Sequence, residues 1–135
     1  MDKKLKKQLS EIKLLICDID GVLTDGSFIK STSGDELRSF NALDGVGFVM
    51  LRLLNLHIKT AWITGRESLT TTQRAEELQI DDVYNGVIRK IDAYDELKKK
   101  YNLSDHEICF IGDDIIDIPI LEKVGFAVWV PNAPK

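Results

Sequence analysis

The chain has 135 residues, 44% of them hydrophobic and 30% charged, and a net charge of −4. That size and balance fit one folded domain spanning 1–135, while a pI near 5.2 gives no support to a nucleic-acid partner. No apolar run approaches a membrane span and the N-terminus lacks a signal-peptide stretch, so the expectation is a cytoplasmic protein without membrane contact.

Asp2–Lys7 carries four lysines and reads as a solvated first helix rather than a basic arm. Lys13–Cys17 is continuous and apolar, the pattern of a buried strand. Gly21–Phe40 is rich in turn residues. Within it Ser27–Ser31 and Glu36–Phe40 flank Thr32-Ser33-Gly34-Asp35, which predicts a small hairpin flap over about residues 22–41. Val46, Val49, Met50, Leu53 and Leu54 recur at helical spacing and predict a helix over Asp44–Asn55. A strand Ile58–Ile63, a helix Ser68–Leu78 and a short strand Val83–Tyr84 come next. Ile91, Tyr94, Leu97 and Tyr101 mark one face of a helix. Ser104-Asp105-His106-Glu107 has capping-box spacing, but the apolar run behind it is strand-like, so it reads as a turn into the strand Ile108–Ile111. A helix Ile116–Lys123 and a strand Phe126–Val130 close the pattern. Cys17 and Cys109 lie in apolar runs and read as core thiols, with no disulfide and no CxxC zinc site expected.

Strands alternating with helices predict an α/β fold: a three-layer α/β/α sandwich whose parallel sheet gathers chemistry beyond its strands' carboxyl ends. Four polar clusters sit at or just after such ends. The first is Asp18-Ile19-Asp20-Gly21, with carboxylates at i and i+2 on one side of an extended chain. At about 4 Å and an effective dielectric of about 20 their repulsion is roughly 4 kcal/mol, which calls for a cation or a shared proton. An EF-hand beginning at Asp18 fails, because Leu23 and Ile29 stand where Gly and Glu are needed. A P-loop from Gly21 to Gly26 fails because Ser27 replaces its lysine. The second cluster, Thr64-Gly65-Arg66, suits anionic oxygens. The third is Lys90, whose ordinary reading is a solvated surface lysine. The fourth is Gly112-Asp113-Asp114-Ile115-Ile116-Asp117, where three acids again call for a cation or else decorate a solvated turn.

DIDGVLTDG, ITGR, the later lysine and GDDIIDIP resemble, in order, the four motifs of the haloacid dehalogenase-like superfamily, covering Asp18 to Pro119. DGVLTDG, the short hairpin, FNALDGVG and GDDIIDIP further resemble its capless subfamily of 3-deoxy-D-manno-octulosonate 8-phosphate phosphatases and their sialic-acid-pathway relatives. The resemblance implies a Rossmann-like fold without a cap domain and a Mg2+-dependent phosphatase. It assigns Asp18 as nucleophile and metal ligand. Asp20 becomes the general acid/base and binds the metal through its main-chain carbonyl, and Asp113 is a further ligand. Thr64 and Gly65 hold phosphate oxygens, Lys90 neutralises charge, and Asp114 or Asp117 supports the metal. Arg66 and Arg74 match positions used near the substrate, a phosphorylated sugar acid.

The same resemblance implies a homotetramer in which one subunit's hairpin region helps close a neighbour's site. It also implies a C-terminal helix and tail beyond Pro131-Asn132-Ala133-Pro134-Lys135, with apolar surface near Phe126, Val128 or Val130 where that helix is missing. Leu43 and Val49 stand where members of the family carry Arg or Lys, which leaves a related nonulosonate 9-phosphate or another sugar phosphate open as substrate. Three rival readings make different demands on the sequence. A non-catalytic phospho-acceptor resembling a receiver domain lacks an acid two residues after the acceptor, as Asp20 is here. An enzyme-dead scaffold homologue fits poorly with four intact motifs. A phosphomutase needs an inserted helical cap, for which Gly21 to Thr64 has no room.

Overall fold

A computed structural model describes residues 1–131. In chain order the elements are α1 (Lys3–Ser10), β1 (Leu14–Cys17), β2 (Ile29–Lys30), β3 (Glu36–Leu37), α2 (Ala42–Leu53), β4 (Lys59–Thr64), α3 (Leu69–Leu78), β5 (Asp82–Asn85), α4 (Lys90–Tyr101), β6 (Ile108–Gly112), α5 (Ile118–Leu121) and β7 (Phe126–Trp129). Five strands form one parallel sheet of order β5-β4-β1-β6-β7. The central β1 pairs Leu14 with Lys59 on one side and with Ile108 on the other. The crossovers leave β1 on opposite sides, so the chain reverses direction across the sheet beside it. That switch point lies where Asp18 emerges.

Alternation along the strands divides the core. Leu14, Ile16, Ala61, Ile63, Ile108 and Phe110 pack on Ala93, Tyr94 and Leu97 of α4 and on Ile120 of α5. Cys17 and Trp62 face the other way, toward Phe48 of α2 and Ala75 and Leu78 of α3. Phe48 meets Trp62 edge-to-face at 5.7 Å and 66°. Full burial of one such large apolar side chain contributes roughly 1.5–3 kcal/mol, so the two faces fix the sheet between its helices. Both cysteines are free and buried, as their apolar runs predict.

Several boundaries move for local reasons. Asn41 accepts the Leu43 N–H at 2.8 Å, so α2 begins at Ala42, two residues ahead of the expected Asp44. The Ser104–Glu107 capping box forms, but on one 3-10 turn that runs straight into β6. The expected helix Ile116–Lys123 is instead a 3-10 turn, Ile115–Asp117, followed by the single turn of α5. Asp114 and Asp117 cap that 3-10 turn reciprocally, and Pro119 marks the new start. The flap shrinks to the pairs Ile29↔Leu37 and Lys30↔Glu36, in which Ile29, Lys30 and Leu37 stay exposed. Between Gly21 and Thr64 the chain forms this flap and α2, with no cap domain. The last strand ends at Trp129, and the expectation about Asn132–Lys135 lies outside the described residues.

Candidate active site

Asp18 leaves the end of β1 with its N–H bonded to Ile111 O at 2.9 Å, which holds it against β6. Its side chain is buried, and Oδ1 lies 2.7 Å from Lys90 Nζ. Lys90 is the first residue of α4 and is only 2% exposed. It is therefore no solvated surface lysine. The same Nζ donates to Asp117 Oδ1 at 2.7 Å, and Asp117 is fully buried. Asp117 Oδ2 accepts the N–H groups of Asp113 at 3.0 Å and Asp114 at 3.1 Å. Both oxygens of Asp117 are thus engaged in holding Lys90 and the loop after β6.

Asp18, Asp113 and Asp117 each offer a carboxylate oxygen within 4.8 Å of the others. Glycines clear the space for them. A Cβ on Gly21, where φ is +86°, would fall 1.9 Å from Asp113 Oδ2, and one on Gly112 would fall 2.7 Å from Asp117 Oδ2. Burial pushes the Asp18 carboxyl up to about 7; the Lys90 ammonium opposes that rise and the Asp117 charge adds to it. Asp113 is raised as well, first by burial. Burial alone would lower Lys90, but Asp18 and then Asp117 hold it above its ordinary value. Three carboxylates face one ammonium in a cramped all-oxygen pocket. That donor set and excess of negative charge fit a hard divalent cation.

The Asp20 side chain is not in this cluster. It faces the flap, with Oδ1 3.0 Å from Arg38 Nη1. Thr64, at the end of β4, is buried and its Oγ1 accepts the Arg66 N–H at 3.3 Å. Gly65 follows, backed by Ile116. Arg66 points to the flap: Nη2 donates to Glu36 Oε2 at 2.6 Å, and its guanidinium lies 3.7 Å from the centre of the Phe28 ring. Arg74 on α3 pairs with Glu77 at 2.9 Å and lies near Phe40 and Gly45; none of its polar contacts reaches the acidic cluster. Asp114 is exposed and caps the 3-10 turn, accepting the Ile115 N–H at 2.6 Å.

Sequence reasoning did not single out Arg38 or Glu36. The Arg38 side chain is entirely shut from solvent, bonded through Nε to Glu36 Oε1 at 3.1 Å and through Nη1 to Thr71 Oγ1 at 3.3 Å. A usable signal exists: residues at i and i+2 of an extended strand share a side, so Glu36 and Arg38 form a pair of opposite charge.

Residues 60–135 match the haloacid dehalogenase-like hydrolase family. The chain belongs to that family. Within these hydrolases it falls in the capless phosphatase branch. It is 39% identical over 127 residues to the 3-deoxy-D-manno-octulosonate 8-phosphate phosphatase of Yersinia pestis, covering 94% of this chain and 67% of that protein. The phosphatase of the same name from Escherichia coli K12 is 39% identical over 122 residues, covering 90% and 64%. The crystal structure of the Moraxella catarrhalis phosphatase, in complex with magnesium ion, phosphate ion and KDO molecule, superposes with a TM-score of 0.93. It is 33% identical and covers 100% of this chain and 76% of that one. The chain spans about two thirds of the length of the curated relatives it matches.

Proposed function

We propose that this hydrolase is a magnesium-dependent phosphomonoesterase acting on a phosphorylated sugar acid, with 3-deoxy-D-manno-octulosonate 8-phosphate as first candidate. The observation that carries the reading is the buried Lys90 bridging Asp18 and Asp117 beside Asp113. Uncatalysed phosphomonoester hydrolysis is slow enough to need acceleration of up to about 10²¹-fold. A carboxylate cannot approach a phosphate dianion unless its charge and the phosphate's are offset.

Asp18 and Asp113 would hold magnesium through carboxylates and Asp20 through its main-chain carbonyl, with Asp114 and Asp117 in support. Asp117 suits support because its two oxygens already bind Lys90 and two main-chain N–H groups. Bound there, the ion supplies charge neutralisation to the phosphoryl oxygens. Asp18 attacks phosphorus as the bond to the sugar oxygen breaks, and Asp20 gives that oxygen its proton. The products are the free sugar alcohol and an aspartyl-phosphate on Asp18. Water then attacks phosphorus, Asp20 takes its proton, and the bond to Asp18 breaks to release inorganic phosphate. Thr64 and the Gly65 N–H hold the phosphoryl oxygens, and Lys90 offsets charge on Asp18 throughout. Arg66, beside the flap, is read as a substrate-facing cation; for Arg74, whose guanidinium lies near Phe40 and Gly45, that reading rests on the family resemblance alone.

Leu43 is 76% exposed and uncharged, which favours a second reading in which the substrate is a related nonulosonate 9-phosphate or a less acidic sugar phosphate. A panel of phosphorylated sugars and sugar acids, assayed for phosphate release with magnesium, separates the two. Chelation is expected to stop release and magnesium to restore it. Full turnover under thorough chelation contradicts the metal assignment. The same reading makes the protein a homotetramer, supported by exposed apolar groups on the flap (Phe28, Ile29, Leu37) and on α2 (Leu43, Val46, Leu53).

A further inference from the structure

Arg38 has no part in the chemistry above, yet its side chain is shut from solvent although it stands on a small flap. A guanidinium stays charged in proteins, so burying one is costly unless its N–H groups meet acceptors. Glu36 satisfies Nε at 3.1 Å and Thr71 satisfies Nη1 at 3.3 Å. Nη2 is buried and finds no hydrogen-bond partner among the described residues. Arg38 nevertheless extends Nη1 to within 3.0 Å of Asp20 Oδ1, across from β3 to the loop after β1.

The two oxygens of Asp20 are thereby made different. Oδ1 is shut from solvent and faces the fixed positive charge, without the alignment of a hydrogen bond. Oδ2 makes no hydrogen bond among the described residues, and the side chain keeps 29% exposure. Behind Arg38, Glu36 binds Arg66 through its second oxygen at 2.6 Å, so Glu36 on the flap, itself tied to the loop before α3, and Thr71 of α3 hold the guanidinium in one orientation.

We propose that Arg38 is the positioning residue for Asp20: it engages Oδ1 and so presents Oδ2 to the leaving oxygen. This rests on the phosphatase reading, in which Asp20 donates that proton. An Asp20 free to rotate loses protonation of the leaving group. That loss matters greatly for a sugar alkoxide and little for a nitrophenolate, which departs without help.

The test compares kcat/KM, which reads steps up to departure of the leaving group, on 3-deoxy-D-manno-octulosonate 8-phosphate and on p-nitrophenyl phosphate, both with magnesium. Arg38→Met is expected to lose about 10²-fold on the sugar phosphate, the lower end of general-acid effects, and less than about 5-fold on the aryl phosphate. Asp20→Asn should show the same split, and the double variant should be no worse than Asp20→Asn alone. Arg38→Lys keeps the charge without the fork and should recover part of the sugar-phosphate rate; it carries the same comparison if Arg38→Met does not fold. Equal losses on both substrates, or losses that multiply with those of Asp20→Asn, overturn the positioning role. A wild type inactive on both phosphates overturns the phosphatase reading itself, and that failure is seen before any variant is made.

Discussion

Lys90 shows how far burial changes the meaning of a residue. In sequence it stands alone at a helix start, where most lysines are solvated. Folded, it is the hub between Asp18 and Asp117, 2.7 Å from each. Removing one partner of a buried ionic group leaves the others uncompensated, at a cost of about 3–5 kcal/mol. Lys90→Met is therefore expected to lose stability in that range, measured by urea unfolding in chelator, and to lose activity as well. An unchanged unfolding midpoint would show that the bridge is not held in solution. The acids around Lys90 were legible because like charges at i and i+2 demand a purpose, and because Asp113, Asp114 and Asp117 follow a strand. Arg38 was less so: its i, i+2 pairing with Glu36 marks only a shared side of the strand, and its other partners Asp20 and Thr71 lie far from it in sequence.

Among the elements, the buried strands were the most legible. Their continuous apolar runs fall on β1, β4 and β6 within a residue or so of the expected bounds, because each is covered on both faces. Sequence predicts a helix over Ile116–Lys123, but the reciprocal capping by Asp114 and Asp117 tightens its start into the 3-10 turn that places Asp113. The flap is a different case. Two residue pairs do not hold a hairpin by themselves, so its order depends on side-chain ties such as Glu36 to Arg66 and Arg38. The Arg66 hydrogen bond holds the Glu36 carboxyl down to about 2 from a usual 4.5. A depressed carboxyl stabilises the folded flap above its ordinary pKa and loses that contribution as pH falls from about 4.5 toward 2. Hydrogen exchange over residues 27–40, corrected for intrinsic rates, should show the flap loosening in that window while β1 and β4 stay protected. Glu36→Gln should loosen it already at neutral pH. Flap protection that is flat from pH 6 to 2.5 would remove Glu36 from this role.

For the whole molecule, the parallel sheet and its switch point bring residues from four separate chain regions to one edge, which is why ordered motifs could be read before their distances were known. Assembly is less legible, because it depends on surface that sequence periodicity assigns to no core. Leu43, Val46 and Leu53 repeat along the open side of α2, and Ile29 and Leu37 are exposed on the flap. Sedimentation at micromolar concentration is expected to give a tetramer, and Leu53→Glu should weaken it; a monomer with full activity would show that each site works unaided. The chemistry itself turns on Asp18. Phosphate release from 3-deoxy-D-manno-octulosonate 8-phosphate with magnesium, measured for the wild type and for a folded Asp18→Asn protein, should be readily detected in the first and absent in the second. Turnover by Asp18→Asn at the wild-type rate would contradict the assignment of Asp18 as the phosphoryl acceptor.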